Sequence, residues 1–124
     1  MFTTVEKSLI PLGYSRNEDV RGAPYDFRKA PNEMHDWMND FKALVEHSYD
    51  TNDNQSVILL AHSMGSPLSL YFLNQMSQKW KDKYIRALMT LAGVWGGSVK
   101  ALKVFAAGKS FAKYFSMFIN WTLY

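Results

Sequence analysis

Ser63 is the residue whose setting best fits reaction chemistry. It follows the unbroken apolar run Val57-Ile58-Leu59-Leu60-Ala61 and His62, and a helical pattern leaves from Met64-Gly65. A free serine hydroxyl is a weak nucleophile at neutral pH. A tight turn between a strand and a helix can push it into a strained, exposed position, with the helix N-terminus aimed where negative charge will develop. Placed so, Ser63 Oγ would attack an ester carbonyl and form an acyl-enzyme, and the Met64 backbone N–H would supply one half of an oxyanion hole. Ala61 is small enough for the position before the turn, and Gly65 would allow close backbone approach. The competing reading is an incidental turn serine. The buried-strand run before Ser63 and the helical pattern after it favour the nucleophile.

This small-x-Ser-x-Gly turn is similar to the nucleophile mount of α/β-hydrolases, where the triad follows the chain order Ser, Asp or Glu, His. His62 is adjacent to Ser63, so its side chain projects differently, and it reads as structural or pocket-lining. His35 and His47 precede the serine and read as ordinary surface or boundary residues of a helix. No histidine follows Ser63. Asp82 is the one later acid, and it falls in the crossover before the next strand, too early for the triad acid. Nothing before Val57 offers a His-Gly-Gly-Gly-like donor loop. The base, the acid and the second oxyanion donor are therefore expected outside these residues. The histidines do not cluster with carboxylates, so no metal site is expected. Gly93, Gly96 and Gly97 lack the Lys-Ser/Thr ending of a phosphate loop, and no cofactor is implied.

The elements around the turn follow from periodicity. Val5, Leu9 and Leu12 predict a short amphipathic helix that Gly13 stops. Val20 suits a short strand within the loops of Tyr14 to Arg28, which Gly22, Pro24 and Asp26 punctuate. A second helix begins near Pro31-Asn32, with Trp37, Phe41, Leu44, Val45 and Ser48 on one face. Asp50 to Asn54 is a polar turn cluster. Ser56 to Ala61 lacks polar alternation, which predicts a strand with both faces covered, as in a parallel sheet. Leu68, Phe72 and Met76 form the stripe of the helix after Ser63, and Pro67 fits in its first turn. Lys79 to Lys83 reads as a charged loop or helix end. Ile85 to Leu91 is the next strand, completing one βαβ unit. Ala92 to Gly97 is a glycine-rich loop at the strand end where α/β sheets bind ligands. Val99 to Gly108 can form another helix.

The bulk numbers allow one small domain. The chain has 124 residues, 48% hydrophobic and 20% charged, which is ordinary for a globular protein. A net charge of +3, scattered along the chain, gives no argument for nucleic acid. With no cysteine, disulfides and cysteine-ligated zinc are excluded within these residues. Met1 to Lys7 is not a signal peptide, and no run reaches the roughly 18 apolar residues of a membrane span. The tail Phe111 to Tyr124 places Phe111, Tyr114, Phe115, Phe118, Ile119 and Trp121 on one apolar face beside Lys109 and Lys113. That face suits buried core or, alternatively, a membrane surface.

Four segments, in order, resemble the lecithin:cholesterol acyltransferase family. They are Asp19-Val20-Arg21-Gly22-Ala23-Pro24-Tyr25-Asp26-Phe27-Arg28; Ala61-His62-Ser63-Met64-Gly65 with Leu70-Tyr71-Phe72-Leu73; Trp80-Lys81-Asp82-Lys83-Tyr84-Ile85; and Trp95-Gly96-Gly97-Ser98-Val99-Lys100. Within that family the segments resemble the lysosomal phospholipase A2 branch. The resemblance covers roughly residues 2 to 108, leaving 109–124 as a divergent aromatic tail. It implies a partial α/β-hydrolase core over 1–108, a mostly parallel sheet with flanking helices. It also implies a glycerophospholipid hydrolase or transacylase, with Ser63 as nucleophile and Met64 as the oxyanion-hole residue. The implied substrates are a phospholipid and a lipid alcohol, with the membrane surface as a further partner, and the implied location is lysosomal or secreted. Ala92-Gly93-Val94 departs from the Gly-Ala-Pro that family members place before Trp-Gly-Gly, which would alter the loop beside the site. Family members are about three times longer, so the chain reads as an internal fragment, a truncated product or an incomplete gene model. Two readings of other classes follow from that. One is an inactive fragment that binds lipid or a partner through the tail. The other is a chain that does not fold alone, because its strand edges are open.

Overall fold

A computed structural model describes residues 2–107. The elements run α1 (Phe2–Leu9), α2 (His35–Thr51), β1 (Val57–His62), α3 (Gly65–Gln75), α4 (Gln78–Tyr84), β2 (Ile85–Leu91) and α5 (Val99–Ala107). They fall into two units. Residues 17–95 hold α2 through β2, and the second unit, drawn from both ends of the chain, contains α1 and α5.

In the second unit the predicted amphipathic helix forms as α1 and tightens into a 3₁₀ turn over Ile10–Leu12. Gly13 closes it at φ +96°, donating its N–H to the Ile10 carbonyl at 3.0 Å. That left-handed geometry is the one glycine adopts without Cβ strain. α5 matches the predicted final helix through Ala107, and the aromatic tail lies outside the described residues.

In the first unit β1 and β2 pair in parallel, from Val57 opposite Ile85 to His62 opposite Leu91. α3 and α4 form the crossover between them. One face of this sheet is buried by helices. Val45 of α2, Leu59 of β1, and Phe72 and Leu73 of α3 form the core, with Phe41, Trp80, Tyr84 and Leu88 packed against it. Phe72 is fully buried and contacts the rings of Phe41 and Trp80, with centroids 4.7 and 5.8 Å away. Each such side chain contributes about 1.5–3 kcal/mol of burial.

Three expectations are corrected. The apolar run of β1 implies cover on both faces, yet among the described residues only the Leu59 and Ala61 face is buried. On the strands' other side Ile58 is 50% and Met89 53% exposed. α2, α3 and α4 all supply the same core, so none of the helices of this unit covers that other face. The charged stretch Lys79 to Lys83 is part of a helix, α4. Its apolar signal is only Trp80 and Tyr84, but Ser77 caps it, accepting the Trp80 backbone N–H at 3.2 Å. Val20 is an isolated bridge residue rather than part of a strand, and its carbonyl closes a turn with the Asn17 N–H at 2.9 Å.

Candidate functional site

The C-terminal end of the sheet carries the serine. β1 stops at His62, α3 starts at Gly65, and the chain reverses across Ser63 and Met64. To make that reversal Ser63 adopts φ +52°. Left-handed backbone at a residue with a Cβ costs about 1–2 kcal/mol, and such strain gathers at functional sites. The strain is held from both sides. The Ser63 N–H donates to the Leu91 carbonyl of β2 at 2.9 Å, and the Ser63 carbonyl accepts from Ser66 N–H at 3.1 Å. Ala92, the residue after β2, is also left-handed at φ +50°. Two strained residues thus leave the same edge of the sheet.

Ser63 is partly buried and Met64 exposed. The Met64 carbonyl already accepts from Leu68 N–H at 3.3 Å, while its own N–H has no acceptor among the described residues. That N–H lies at the start of an eleven-residue helix, whose dipole adds positive potential there. The turn therefore offers a hydroxyl held in a strained backbone and a free donor one residue later. An arrangement of this kind can present a nucleophile and hydrogen-bond the oxyanion it creates.

Two neighbours shape the turn. Gly93 lies under the Trp95 side chain. A Cβ at Gly93 would come within 2.6 Å of Trp95 Nε1 and 3.1 Å of Ser66 Cβ. The Ala92-Gly93-Val94 departure thus places glycine where the indole folds back over the backbone. Gly65 behaves otherwise. A Cβ there would meet Tyr25 Oη at 3.9 Å and Ala61 Cβ at 4.0 Å, ordinary contacts, so the expected close backbone approach is absent. Below the turn, Ser66 Oγ is buried with no hydrogen-bond partner among the described residues, which costs about 1–3 kcal/mol.

The segment Gly22 to Arg28 reaches this region through aromatic residues. Trp37 of α2 donates its indole N–H to the Pro24 carbonyl at 2.8 Å and packs edge-on against Tyr25 at 5.8 Å. Burial pushes the Tyr25 hydroxyl's pKa up, so it stays a protonated donor facing Gly65. Three residues after Tyr25, Arg28 forms a bidentate pair with Asp26 at 2.8 Å. Those hydrogen bonds hold the Asp26 carboxyl down to about 2. Tyr25, Ser66 and Trp95 had no sequence role in the site. The available signal was their place inside or beside the quoted segments.

Ser63 Oγ has no hydrogen bond to a histidine or carboxylate among the described residues. His35 is exposed at the start of α2 and lines an open groove with Met38, Tyr71 and Met76. His47 is exposed further along the same helix, and His62 is the last residue of β1. Asp82 accepts from Gln78 Nε2 at 2.6 Å in α4, which leads into β2. It therefore lies at the end of the parallel sheet opposite Ser63, about 20 Å away for a six-residue strand. Among the described residues no three of His, Asp and Glu stand close enough to hold a metal ion. No described helix is long and apolar enough to cross a membrane.

Comparison with known proteins gives one consistent result. A family model described as lecithin:cholesterol acyltransferase matches residues 1–120, reaching into the aromatic tail. Lysosomal phospholipase A and acyltransferase from Homo sapiens is 49% identical over 107 residues, 86% of this chain and 26% of the relative. The Rattus norvegicus protein of the same name is 48% identical over the same shares. Phosphatidylcholine-sterol acyltransferase from Gallus gallus is 46% identical over 105 residues, 85% of this chain and 25% of the relative. The chain spans about a quarter of the length of the curated relatives it matches.

Proposed function

The chain belongs to the lecithin:cholesterol acyltransferase family, and from that premise we propose that it carries the nucleophile segment of a lipid acyl-ester hydrolase or O-acyltransferase. Ser63 is the nucleophile, and the turn from β1 to α3 is its elbow. The single observation that carries this reading is the φ of +52° at Ser63 beside the free Met64 N–H. In the reaction, Ser63 Oγ attacks a phospholipid acyl carbonyl as its proton passes to a base. The carbonyl oxygen becomes an oxyanion and takes a hydrogen bond from Met64 N–H. Collapse releases the lysolipid alcohol and leaves the acyl group on Ser63. Water or a lipid alcohol then attacks that ester, giving hydrolysis or transfer. The base, the acid that orients it and the second oxyanion donor come from outside residues 1–124. The names of the relatives support a phospholipid as acyl donor and, from the first of them, a lysosomal location, and the family resemblance adds a secreted one. The membrane surface is the source of the substrate.

A fluorophosphonate probe on the full-length protein tests this. Labelling is expected in the parent and absent in Ser63→Ala, with the melting temperature of the two proteins unchanged. Equal labelling of both would remove Ser63 from the role.

A further inference from the structure

At the other end of β1 stands a feature that the serine chemistry does not use. Asn54-Gln55-Ser56 is an Asn-x-Ser triplet with a non-proline centre, the acceptor pattern for N-linked glycan. The triplet occupies the short connection between α2 and β1, and both Asn54 and Gln55 are exposed. Its backbone is pinned. Asn54 sits at φ +57°, following Asp53 at φ +50°, and donates its N–H to the Tyr49 carbonyl at 3.1 Å. Gln55 N–H donates to the Asn52 carbonyl at 2.8 Å. The side chains differ sharply in use. Asn52 Nδ2 donates to the Ser48 carbonyl at 2.8 Å and the Glu18 carbonyl at 3.3 Å. The Asn54 carboxamide makes no hydrogen bond among the described residues, so the folded chain can carry a sugar on its Nδ2 without losing a contact.

We propose that Asn54 is an N-glycosylation site, taking an oligosaccharide from a lipid diphosphate-linked donor. Asn54 Nδ2 forms a bond to C1 of the first sugar as the C1–O bond to the diphosphate breaks. The lipid diphosphate leaves with the electron pair, and the amide nitrogen loses one proton. The Ser56 hydroxyl is the recognition element two residues on. Position suits the modification. The six residues of β1, about 20 Å of strand, lie between Asn54 and Ser63, so a bulky glycan stands away from the reactive end of the sheet. This inference rests on the lysosomal or secreted location proposed above, because the transfer occurs in the lumen of the secretory pathway.

The test is translation of the full-length protein in the presence of microsomes, followed by protease protection and endoglycosidase H. Transfer precedes folding, so a variant that folds poorly is still read. Asn54→Gln and Ser56→Ala are each expected to show one endoglycosidase-sensitive mobility step fewer than the parent, and Ser56→Thr the same number as the parent. A protected product with equal steps in the parent and Asn54→Gln overturns the site. A protease-accessible product overturns the location instead, and digestion alone tells the two apart.

Discussion

The strain at Ser63 gives a prediction separate from its chemistry. Left-handed backbone costs a serine about 1–2 kcal/mol, and glycine adopts it freely. Glycine also returns about 0.5–1 kcal/mol through the greater freedom of its unfolded chain. Ser63→Gly in the full-length protein should therefore raise stability by about 0.5–1 kcal/mol while losing all reaction with the probe, whereas Ser63→Ala should keep the strain. Denaturant unfolding of the three proteins checks this. A Ser63→Gly variant less stable than Ser63→Ala would contradict it. The position of Ser63 was legible because it depends on chain order: an apolar run, a small-x-Ser-x-Gly turn and a helical stripe. The details beside it were not. That a Cβ fits at Gly65 but not at Gly93 depends on where the Trp95 indole and Tyr25 hydroxyl come to rest. Those are contacts between segments that periodicity does not connect.

At the scale of elements, α2 and α4 are joined through one carboxylate. Glu46 accepts from Lys42 Nζ at 2.6 Å and from Trp80 Nε1 at 2.7 Å. Hydrogen bonds from Lys42 and then Trp80 hold the Glu46 carboxyl below its ordinary value of 4.5. A carboxyl whose pKa is lower in the folded state adds stability above its unfolded value. That stability is lost as pH falls through the folded value. Glu46→Gln should then cost about 1 kcal/mol at pH 7, since the pair is only partly buried and water still screens it. The difference from the parent should shrink steadily as pH falls below about 4. Melting temperatures of both proteins between pH 7 and pH 3 check the slope, and a constant difference would rule out the linkage. α4 itself shows how far pattern reading reaches. Its seven residues carry too little apolar periodicity to mark a helix, and what fixes them is the Ser77 cap together with Trp80 packed on Phe72 and bonded to Glu46. β1 was readable because a run of Val, Ile and Leu needs no partner to be recognised, and β2 because five of its seven residues are apolar.

For residues 17–95 as a body, the balance turns on the sheet. Its inner face has a ring-rich core around Phe72. The other face leaves Ile58, Met89 and Leu91 40–53% exposed, and a sheet of two strands has two open edges. The sequence implied cover for that face because β1 has no polar alternation, and the implication is about what the strand needs rather than about which segment provides it. At about 25 cal/mol per Å² of apolar surface, leaving these side chains in water forfeits stabilisation that a small core cannot spare. Residues 1–124 expressed alone should therefore bind a hydrophobic dye such as anilinonaphthalene sulfonate and unfold without a sharp transition. Ile58→Ser with Met89→Ser should lower both dye binding and aggregation of that chain, because each removes apolar surface from the uncovered face. In the full-length protein the same pair should destabilise, since a face that is covered there would gain two hydroxyls in place of apolar side chains. Opposite signs in the two contexts are the expected result. A dye-free, cooperatively melting isolated chain, indifferent to the pair, would mean that residues 1–124 bury this face unaided.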